Sequence, residues 1–416
     1  MARKKILYLY QYFRHPGEPG GTRAYWISKE LISCGYDVTM ITQRNSFNKE
    51  NKDAKFIERK DIDGINVLYI RNSFANEMGV LRKIISFLSF MVVSTWLGLK
   101  QKDISLVIST STPLSIGFPA LILKFLKGVR YVFEVRDLWP EGPVQEGLIR
   151  NKRFIGFLKW FEKKVYRNAI HVVALSPGMA DGVIKYIPAE RVSIISNMAK
   201  IDKFWPREAS VEICRTFKLD ENSFKAIHFG QMGMSNDLHY IVDAAKLCLE
   251  AGYTDIEFIF MGSGKVKEEI RKRVAEEKLT NIRIIDRQPM KMVSEIVNLS
   301  DVSLVTFANL PILYTNSPNK LFDSLSAGKP IIVNSAGWTK TMVEENQCGL
   351  FVEPGNPADL VSKILLLKND HVLRATMGQN ARILAEQKYD KSILCAEYVR
   401  LVDRLIDNQH VNINKA

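Results

Sequence analysis

Strand-like and helix-like segments alternate along the chain in a cycle that runs twice. The first cycle opens with "KKILYLYQYF", a loop containing Gly20-Gly21, the helical pattern "TRAYWISKELISCG" and a second strand-like run, "YDVTMIT". Apolar residues at helical spacing between short apolar runs predict βαβ units. From about residue 200 the cycle restarts at "KAIHFG" and continues to residue 407. The sequence therefore predicts two doubly wound α/β domains.

The length of the chain, 416 residues, suits two domains of about 200 residues, each with its own core. We expect the first domain at residues 1–200, the second at 201–388, and a hinge at "NMAKIDKFWP" (197–206). Ligands of doubly wound sheets bind beyond the carboxyl ends of the strands, so two such domains facing each other form one cleft. The N-terminal apolar run is broken by Gln11 and Arg14, which indicates a strand rather than a secretory signal.

The excess positive charge lies in one half of the chain. The formal net charge is +13, with 31 Lys and Arg against 17 Asp and Glu in residues 1–200, and 27 against 28 in residues 201–416. A basic face kept for solubility would be spread over both halves. We therefore expect the first half to meet an anionic partner: a membrane surface, a phosphorylated substrate or nucleic acid. The five cysteines are scattered without a CxxC pair, which argues against a disulfide scaffold or a zinc site.

Two segments of the first half are rich in apolar residues. In "RNKRFIGFLKWFEKKVYRNA" (150–169), basic residues surround an apolar stripe of Phe154, Phe157, Leu158, Phe161 and Val165, with Trp160 at its edge. Such a helix suits the surface of an anionic bilayer, or a surface position with the apolar face turned inward. The run "IISFLSFMVVSTWLGL" (84–99) is uncharged, but a spanning helix needs about 20 apolar residues. We therefore expect a buried or interfacial helix at 84–99.

The stretch "TNSPNKLFDSLSAGKP" (315–330) has the pattern of a helix start that holds an anion. Ser317 is a favoured N-cap, and Pro318 suits the first helical position. The free N–H groups then fall at Asn319 and Lys320, and the lysine adds a full positive charge at the positive end of the helix dipole. A capped helix with a surface lysine is the alternative. Asp323, further along the helix, could bind a diol beyond a phosphate.

Glycine loops follow strand patterns at three further places. They are "EPGGTR" (18–23), with Gly20 and Gly21, "FGQMGMSND" (229–237), with Gly230, and "FMGSGK" (260–265). Each loop lets the backbone approach a phosphate closely, but none matches a dinucleotide-binding fingerprint or a Walker A motif. Several such loops near one cleft suggest a nucleotide diphosphate.

Motifs spread over nearly the whole chain resemble those of a known enzyme family. They include "FEVRDLWPE" (133–141), "LSPGMADG" (175–182), "SNMAKIDKF" (196–204), "SPNKLFDSLSAGKPIIVN" (317–334) and "GWTKTMVEENQCGLFVEPGNP" (337–357). The sequence resembles the retaining glycosyltransferases of family 4, with the GT-B fold, and in particular the bacterial branch that builds capsule, O-antigen or exopolysaccharide. The resemblance implies two Rossmann-like domains facing across a cleft. It also implies a last helix, within 389–416, that crosses back to the first domain.

The chain departs from this family where the donor diphosphate binds. The usual Arg and Lys clamp residues fall on Gln231 and Asn236, so two cationic ligands are missing from their usual places. Lys320 is then the best local cation, with Arg23 or Arg136 of the first domain as helpers.

Other positions follow or modify the family pattern. Asp323 keeps the carboxylate expected on the ribose hydroxyls, while Thr315 replaces a glutamate. The family's histidine near the donor sugar falls on Arg136, next to Asp137, which is compatible with a deoxy or otherwise altered sugar. Arg287 matches the segment that holds the base. The predicted donor-site residues are Gly20, Gly21, Gly230, Arg287, Thr315, Asn316, Ser317, Asn319, Lys320, Leu321 and Asp323.

The expected reaction is transfer of an N-acetylated or deoxy sugar from a UDP-sugar to a lipid-diphosphate-linked glycan, at the cytoplasmic face of the plasma membrane. Arg136, Asp137 and Lys320 are the predicted catalytic residues, and Glu141 is a weaker candidate. The six histidines are dispersed, and His15, in the loop before Gly20-Gly21, is the one to test; no metal motif is present, so we expect no metal and no cofactor besides the donor. A nucleotide-sugar epimerase and a nucleic-acid-binding protein are the alternatives.

Overall fold

The computed structural model describes residues 3–18, 20–44, 56–71, 80–208 and 210–413. The chain divides into two compact units. One consists of Met1–Ser196 together with Ser392–Ala416, and the other of Asn197–Lys391. Each unit contains one sheet with helices packed on it.

In the residues that the structure describes, the first unit has eight strands, and six α-helices precede the second unit. The strands are β1 (Lys5–Leu9), β2 (Asp37–Arg44), β3 (Ile57–Ile62), β4 (Ile65–Arg71), β5 (Ile104–Thr110), β6 (Tyr131–Val135), β7 (His171–Ala174) and β8 (Val192–Ile194). The helices are α1 (Arg23–Ser33), α2 (Val80–Lys100), α3 (Gly117–Lys127), α4 (Glu141–Gln145), α5 (Lys152–Asn168) and α6 (Pro177–Ile184).

The sheet of the first unit has the order β3-β4-β2-β1-β5-β6-β7-β8. All pairs are parallel except the β3–β4 hairpin, which the sequence did not predict. The strand order reverses between β1 and β5, where open α/β sheets bind ligands at their carboxyl edge. Four of the five residues of β1 are buried, as expected of a central parallel strand covered on both faces.

The described part of the second unit has six strands and eight α-helices. The strands are β9 (Phe224–Gln231), β10 (Ile256–Ser263), β11 (Ile282–Asp286), β12 (Val302–Val305), β13 (Ile331–Val333) and β14 (Gly349–Phe351). The helices are α7 (Val211–Phe217), α8 (Leu238–Glu250), α9 (Lys267–Glu276), α10 (Met290–Leu299), α11 (Asn319–Ser326), α12 (Trp338–Glu345), α13 (Pro357–Asn369) and α14 (His371–Leu384). The chain continues through a π-helical turn (Ala385–Tyr389) into α15 (Lys391–Ile413).

The sheet of the second unit is wholly parallel, with the order β11-β10-β9-β12-β13-β14. This is the strand order of a Rossmann sheet, with its reversal between β9 and β12. The carboxyl ends of β9, β10, β11 and β12 therefore share one edge, and the helix α11 begins after β12 on the chain. β14 is a short strand that the sequence did not predict.

The last helix belongs to the first unit from Ser392 onward. There Arg130 donates a hydrogen bond to the Leu405 carbonyl at 2.8 Å, and the Lys4 ammonium lies 2.8 Å from a carboxylate oxygen of Asp407. All five cysteines carry free thiols. Among the described residues, no helix is long and apolar enough to cross a membrane.

Two helices of the first unit, α2 and α5, carry exposed apolar side chains. The segment 84–99 lies in α2, where one side of the helix packs in the core and the other is exposed and apolar. The helix is therefore not fully buried, and the interfacial alternative stays a prediction. The predicted stripe of α5 is divided: Val165 is buried with Tyr166, whereas Phe154 and Phe157 are exposed. Periodicity identifies the apolar positions of a helix, but it does not show which of them the neighbouring elements cover.

Candidate functional site

The helix α11 begins one residue later than predicted and has no side-chain cap. Pro318 is extended (φ −77°, ψ 138°) and occupies the N-cap position, so the first helical residue is Asn319. The predicted capping role of Ser317 is therefore wrong, and its hydroxyl has no hydrogen-bond partner among the described residues. In the described part of the chain, the N–H groups of Asn319 and Lys320 also have no acceptor. This helix start thus leaves donors free for a ligand.

Lys320 is buried at this helix start without a counter-ion. Its side chain is 9% exposed, and its Nζ donates hydrogen bonds to His228 Nε2 and Asn236 Oδ1, each at 3.0 Å. Both partners are neutral, and no carboxylate of the described residues pairs with this ammonium. Burial lowers the pKa of Lys320 to about 7. The pKa of His228 lies well below its usual value because of burial and the neighbouring Lys320.

The backbone around Lys320 comes from glycine turns at the carboxyl edge of the second sheet. Gly230, at the end of β9, has φ +108°, and a Cβ placed there would lie 3.8 Å from Lys320 Cε. Gly262 of β10 packs so closely that a Cβ would lie 1.8 Å from the Gly230 carbonyl oxygen. Thr306, after β12, donates to the Asn236 carbonyl at 2.7 Å. The cation therefore lies where the strand order reverses, with little side-chain bulk around it.

Asp323 is buried one turn into α11 and forms an ion pair that the sequence did not predict. Lys200 Nζ lies 2.6 Å from Asp323 Oδ1, and both residues are less than 10% exposed. Burial raises the pKa of the Asp323 carboxyl, and Lys200 opposes this shift. Next to this pair, Asn197 donates to the Ser317 carbonyl at 2.5 Å, while its own Oδ1 is buried without a partner among the described residues. A ligand bound at this helix start would supply partners for these buried polar atoms.

The remaining predicted residues of α11 and its loop differ in what they offer. The Thr315 hydroxyl donates to the Ile312 carbonyl at 2.7 Å within a 3-10 turn. The Asn316 carbonyl accepts a hydrogen bond from Trp338 Nε1 at 2.8 Å, which fixes this loop. Leu321 was predicted as a ligand residue, but its N–H donates to the Pro318 carbonyl at 3.1 Å and its side chain is fully buried. Leu321 therefore contributes to the core and offers no free donor.

Arg287 follows β11, whose carboxyl end lies on the same sheet edge as Gly230. This placement agrees with a position near a base, and Arg287 stays a predicted ligand. Among the described residues, no group of three or more His, Cys, Asp or Glu side chains is placed to hold a metal ion. The metal independence of the reaction stays a prediction.

In the first unit, Arg136 and Asp137 lie at the carboxyl end of β6. The Arg136 N–H donates to Ser111 Oγ at 2.9 Å, and its guanidinium contacts Tyr10 through a hydrogen bond to the hydroxyl and a cation–π contact of 5.3 Å. Asp137 Oδ2 accepts a hydrogen bond from Thr112 Oγ1 at 2.6 Å. These side chains are held by β1, β5 and β6, at the reversal of the strand order in this unit.

The remaining candidate residues of the first unit lie at the start of α1 or in the loop before it. Gly20 has φ +135° in the loop before α1, and Gly21 follows it. Arg23 was considered as a helper cation, but it is 2% exposed, pairs with Glu134 at 3.1 Å and donates to the Ile195 carbonyl at 2.9 Å. Arg23 is therefore a structural residue of the unit that contains it.

Two partners of the site in the second unit, His228 and Lys200, were not predicted from the sequence. The sequence favours His15 among the six dispersed histidines, whereas the structure places His228 against Lys320. Its position two residues before Gly230, at the end of the first strand of the second half, was the available signal. Lys200 had no local signal, because its partner Asp323 lies far away along the chain.

Two family models match the chain, one in each half. The model described as "Glycosyl transferase 4-like domain" matches residues 20–198, and the model described as "Glycosyl transferases group 1" matches residues 212–384. Together they account for most of the chain.

Curated relatives are glycosyltransferases at low identity. The capsular polysaccharide biosynthesis glycosyltransferase CapM of Staphylococcus aureus is 22% identical over 380 residues, 88% of this chain and 94% of CapM. The alpha-D-kanosaminyltransferase of Streptomyces kanamyceticus is 21% identical over 240 residues, 56% of this chain and 60% of that enzyme. The N,N'-diacetylbacillosaminyl-diphospho-undecaprenol alpha-1,3-N-acetylgalactosaminyltransferase of Campylobacter jejuni is 32% identical over 99 residues, 24% of this chain and 26% of that enzyme. The match to the kanosaminyltransferase spans less than two thirds of that relative.

Solved structures show the same fold. Sucrose-phosphate synthase from Thermosynechococcus elongatus superposes with a TM-score of 0.76 at 14% identity, covering 98% of this chain and 100% of the other. Anabaena Alr3699/HepE, in complex with UDP and glucose, superposes with a TM-score of 0.69 at 18% identity, covering 96% and 100%. The two parallel-sheet units, the two family models and these superpositions lead to one conclusion: the chain belongs to the glycosyltransferases of the GT-B fold.

Proposed function

We propose that the chain is a retaining glycosyltransferase that moves an N-acetylated or deoxy sugar from a UDP-sugar to a lipid-diphosphate-linked glycan. The reaction takes place at the inner face of the plasma membrane, in the assembly of a bacterial surface polysaccharide, and needs no metal. Two relatives support the acceptor class: one is named for capsular polysaccharide biosynthesis and one for a diphospho-undecaprenol acceptor. A structural neighbour that binds UDP and glucose supports the donor class.

The observation that carries this proposal is the buried ammonium of Lys320. It has two neutral hydrogen-bond partners, His228 and Asn236, and no carboxylate partner among the described residues. A buried cation without a counter-charge is costly unless an anion completes its surroundings. The free N–H groups of Asn319 and Lys320, at the positive end of the α11 dipole, point to the same kind of ligand. A diphosphate satisfies both features at once.

Transfer of the sugar needs charge stabilisation at this diphosphate. Breaking the anomeric C–O bond leaves negative charge on the β-phosphate and positive charge on the sugar ring. A preorganised ammonium and two amides stabilise the leaving diphosphate where its charge develops. In this proposal Lys320 supplies the cation that the family draws from the positions of Gln231 and Asn236, and Asn236 instead orients Lys320.

The other site residues complete the donor and acceptor sides. Asp323, held by Lys200, binds the ribose hydroxyls, and Arg287 lies beside the base. Arg136 and Asp137 of the first unit contact the transferred sugar or the acceptor. Arg136 stands where the family has a histidine, which is compatible with a donor of altered hydroxyl pattern. Glu141 stays outside this set because its carboxylate forms an ion pair with Lys159 at 2.9 Å.

A transfer assay tests the proposal. The full chain is incubated with a membrane lipid extract and a panel of radiolabelled UDP-sugars, with and without EDTA, and the lipid fraction is counted. We expect transfer from one or a few donors, EDTA-resistant activity, and a product whose anomeric configuration matches the donor. Absence of transfer from every UDP-sugar, or an inverted product, contradicts the proposal.

The same assay tests the alternative of a nucleotide-sugar epimerase. The comparisons give this alternative no support. An epimerase converts the donor without an acceptor, so the nucleotide-sugar pool is analysed after incubation without lipid. We expect an unchanged sugar configuration in that pool.

A further inference from the structure

Three neighbouring helices of the first unit, α2, α3 and α5, expose large apolar side chains on their outer sides. The inner sides of all three lie in one core, which contains Phe90, Leu123 and Val165. α2 packs on α3 and α3 packs on α5, so the three helices form one layer over the sheet. The exposed side chains of this layer are Ile85, Leu88, Val92, Trp96, Phe125, Leu126, Phe154, Phe157 and Trp160.

The exposed apolar residues follow the helices rather than being scattered. In α2 they recur at steps of three, four and four residues, which places them on one stripe. In α5, Phe157 stacks on Phe154 and Trp160, with ring centroids 6.4 and 5.9 Å apart. Val92 is 61% exposed, and Phe125 is 67% exposed. Nine such side chains expose on the order of 800 Å² of apolar surface, more than the largest patch of a typical monomer, about 300–600 Å².

The same three helices carry most of the excess charge of the protein. Their sequences contain eleven Lys and Arg, three in α2, two in α3 and six in α5, against a single acidic residue, Glu162. Glu162 is 2% exposed, so no carboxylate of these helices offsets the charge at the surface. The ammonium of Lys100 lies 3.5 Å from the ring centroid of Trp96, and that of Lys164 lies 5.9 Å from the ring of Trp160. Cations beside exposed aromatic side chains suit the boundary between headgroups and acyl chains.

We propose that the outer sides of α2, α3 and α5 form a single face that binds an anionic lipid bilayer. Apolar side chains of all three helices enter the acyl boundary, and the surrounding lysines and arginines contact the anionic headgroups. A second copy of the chain does not suit this face, because two equally basic surfaces repel each other.

This face is continuous with the segment that carries the candidate acceptor residues. α5 is tied to α4 by the ion pair of Lys159 and Glu141, at 2.9 Å, and α4 begins four residues after Asp137. The lipid-binding face thus lies next to the loop that follows β6 in the same unit. This inference rests on the proposed function, because a lipid-linked acceptor lies in a bilayer that the enzyme must reach. Its test measures lipid binding and does not depend on catalysis.

Vesicle sedimentation of the full chain tests the proposal. The vesicles are phosphatidylcholine alone, or phosphatidylcholine with 30% phosphatidylglycerol. Two double variants, Leu88→Ser/Val92→Ser in α2 and Phe157→Ser/Trp160→Ser in α5, remove exposed apolar groups from different helices. Val372→Ser is the matched control, because Val372 is 64% exposed on α14 of the second unit. All four substituted positions of the double variants are exposed, so unfolding is monitored only as a check, by circular dichroism.

We expect wild type to bind the anionic vesicles, to bind them less at high salt, and to bind neutral vesicles weakly. Each double variant binds about tenfold less, and the control binds as wild type. Lys163→Gln/Lys164→Gln, which keeps the apolar groups, also binds about tenfold less and loses part of the salt dependence.

Several results would overturn the inference. If only the α5 variant loses vesicle binding, the membrane contact belongs to one helix, and the proposal of a three-helix face is wrong. If wild type binds neutral and anionic vesicles equally, the lysines and arginines of these helices do not contribute to binding, and the proposed preference for anionic lipid is wrong. A dimer of wild type in solution that the double variants dissociate shows that a second copy covers the face. UDP binding is measured on the same variants and stays unchanged, so failure here is distinguishable from failure of the proposed donor site.

Discussion

Replacing Lys320 by methionine removes a buried cation while keeping a similar side-chain volume. The pKa of Lys320 falls from 10.5 to about 7 on burial, which corresponds to about 5 kcal/mol of destabilisation of the charged form. The methionine variant has no buried charge and so lacks this destabilisation. However, His228 Nε2 and Asn236 Oδ1 lose their hydrogen-bond donor, which destabilises the folded protein by about 1–3 kcal/mol for each acceptor. The two effects nearly cancel, so we expect the free energy of unfolding without ligand to stay within about 2 kcal/mol of wild type at pH 7.

Nucleotide binding responds differently to the same substitution. The variant loses a charge-assisted hydrogen bond to the diphosphate, about 1.5–3 kcal/mol, so its UDP affinity is about 10- to 150-fold weaker. A side chain that contributes only to folding gives no such separation between stability and affinity.

The pH dependence of wild type follows from the lowered pKa of Lys320. Between about pH 7 and 10.5 this lysine is neutral in the folded protein and protonated in the unfolded chain. The unfolded state then binds one proton more, so the contribution of Lys320 to the free energy of unfolding rises by about 1.4 kcal/mol per pH unit in this window. UDP binding needs the charged form, so UDP affinity falls by about tenfold per pH unit above pH 7. Both slopes are absent from Lys320→Met.

The assay is titration calorimetry with UDP between pH 6.5 and 9, in buffers of different ionisation enthalpy, together with thermal unfolding. Lys329→Met is the matched control: burial lowers the pKa of Lys329 to about 8, and its Nζ donates to the Asn298 carbonyl at 2.5 Å beyond the opposite end of α11. We expect the control to bind UDP as wild type. Equal UDP affinity in wild type and Lys320→Met, or no proton uptake on binding at pH 8, would refute the assignment of Lys320 to the diphosphate.

Three further predictions concern the residues around this helix start and the first unit. Ser317→Ala changes the free energy of unfolding by less than about 0.5 kcal/mol, because the Ser317 hydroxyl has no partner among the described residues. Ser176→Ala lowers it by about 1 kcal/mol, because Ser176 Oγ caps α6 by accepting a hydrogen bond from the Met179 N–H. Thermal unfolding measures both losses, and equal losses would show that Ser317 also acts as a cap. Lys200→Met lowers the free energy of unfolding by about 3–5 kcal/mol, because it leaves the Asp323 carboxylate buried and unpaired. Lys200→Met/Asp323→Leu recovers most of this loss but does not recover UDP affinity. A double variant that is as unstable as the single one, or that binds UDP as wild type does, would contradict this role of the pair. Arg136→Gln lowers kcat at least tenfold with unchanged UDP affinity in calorimetry, and a pure loss of UDP affinity would move Arg136 to the nucleotide.

Most of the architecture could be predicted from the sequence, because the spacing of apolar residues within each segment indicates whether the segment forms a strand or a helix. Alternating apolar runs and helical patterns gave both parallel sheets, and the glycine turn at Gly230 marked the carboxyl edge of the second one. The short strand β14 and the β3–β4 hairpin escaped, because three to six residues of mixed character carry little periodic signal. The start of α11 was predicted one residue early, since the extended backbone of Pro318 cannot be distinguished from a helical one by residue type.

The polar contacts of the site could be predicted only in part. Lys320 was found because it belongs to a local pattern at a helix start. His228 and Asn236, which hold its ammonium, and Lys200, which pairs with Asp323, become neighbours only when the sheet order is set. For a related reason the sequence left two alternatives for α2, a buried or an interfacial helix, since exposure depends on which side chains the rest of the fold covers.

In the proposed function, Lys320 and the first amides of α11 hold the donor diphosphate. A crystal structure of the protein with bound UDP measures this directly. We expect a phosphate oxygen within about 3 Å of Lys320 Nζ and of the Asn319 or Lys320 N–H, with the ribose against Asp323. A diphosphate bound away from α11, with Lys320 still bonded to His228 and Asn236 alone, would contradict it.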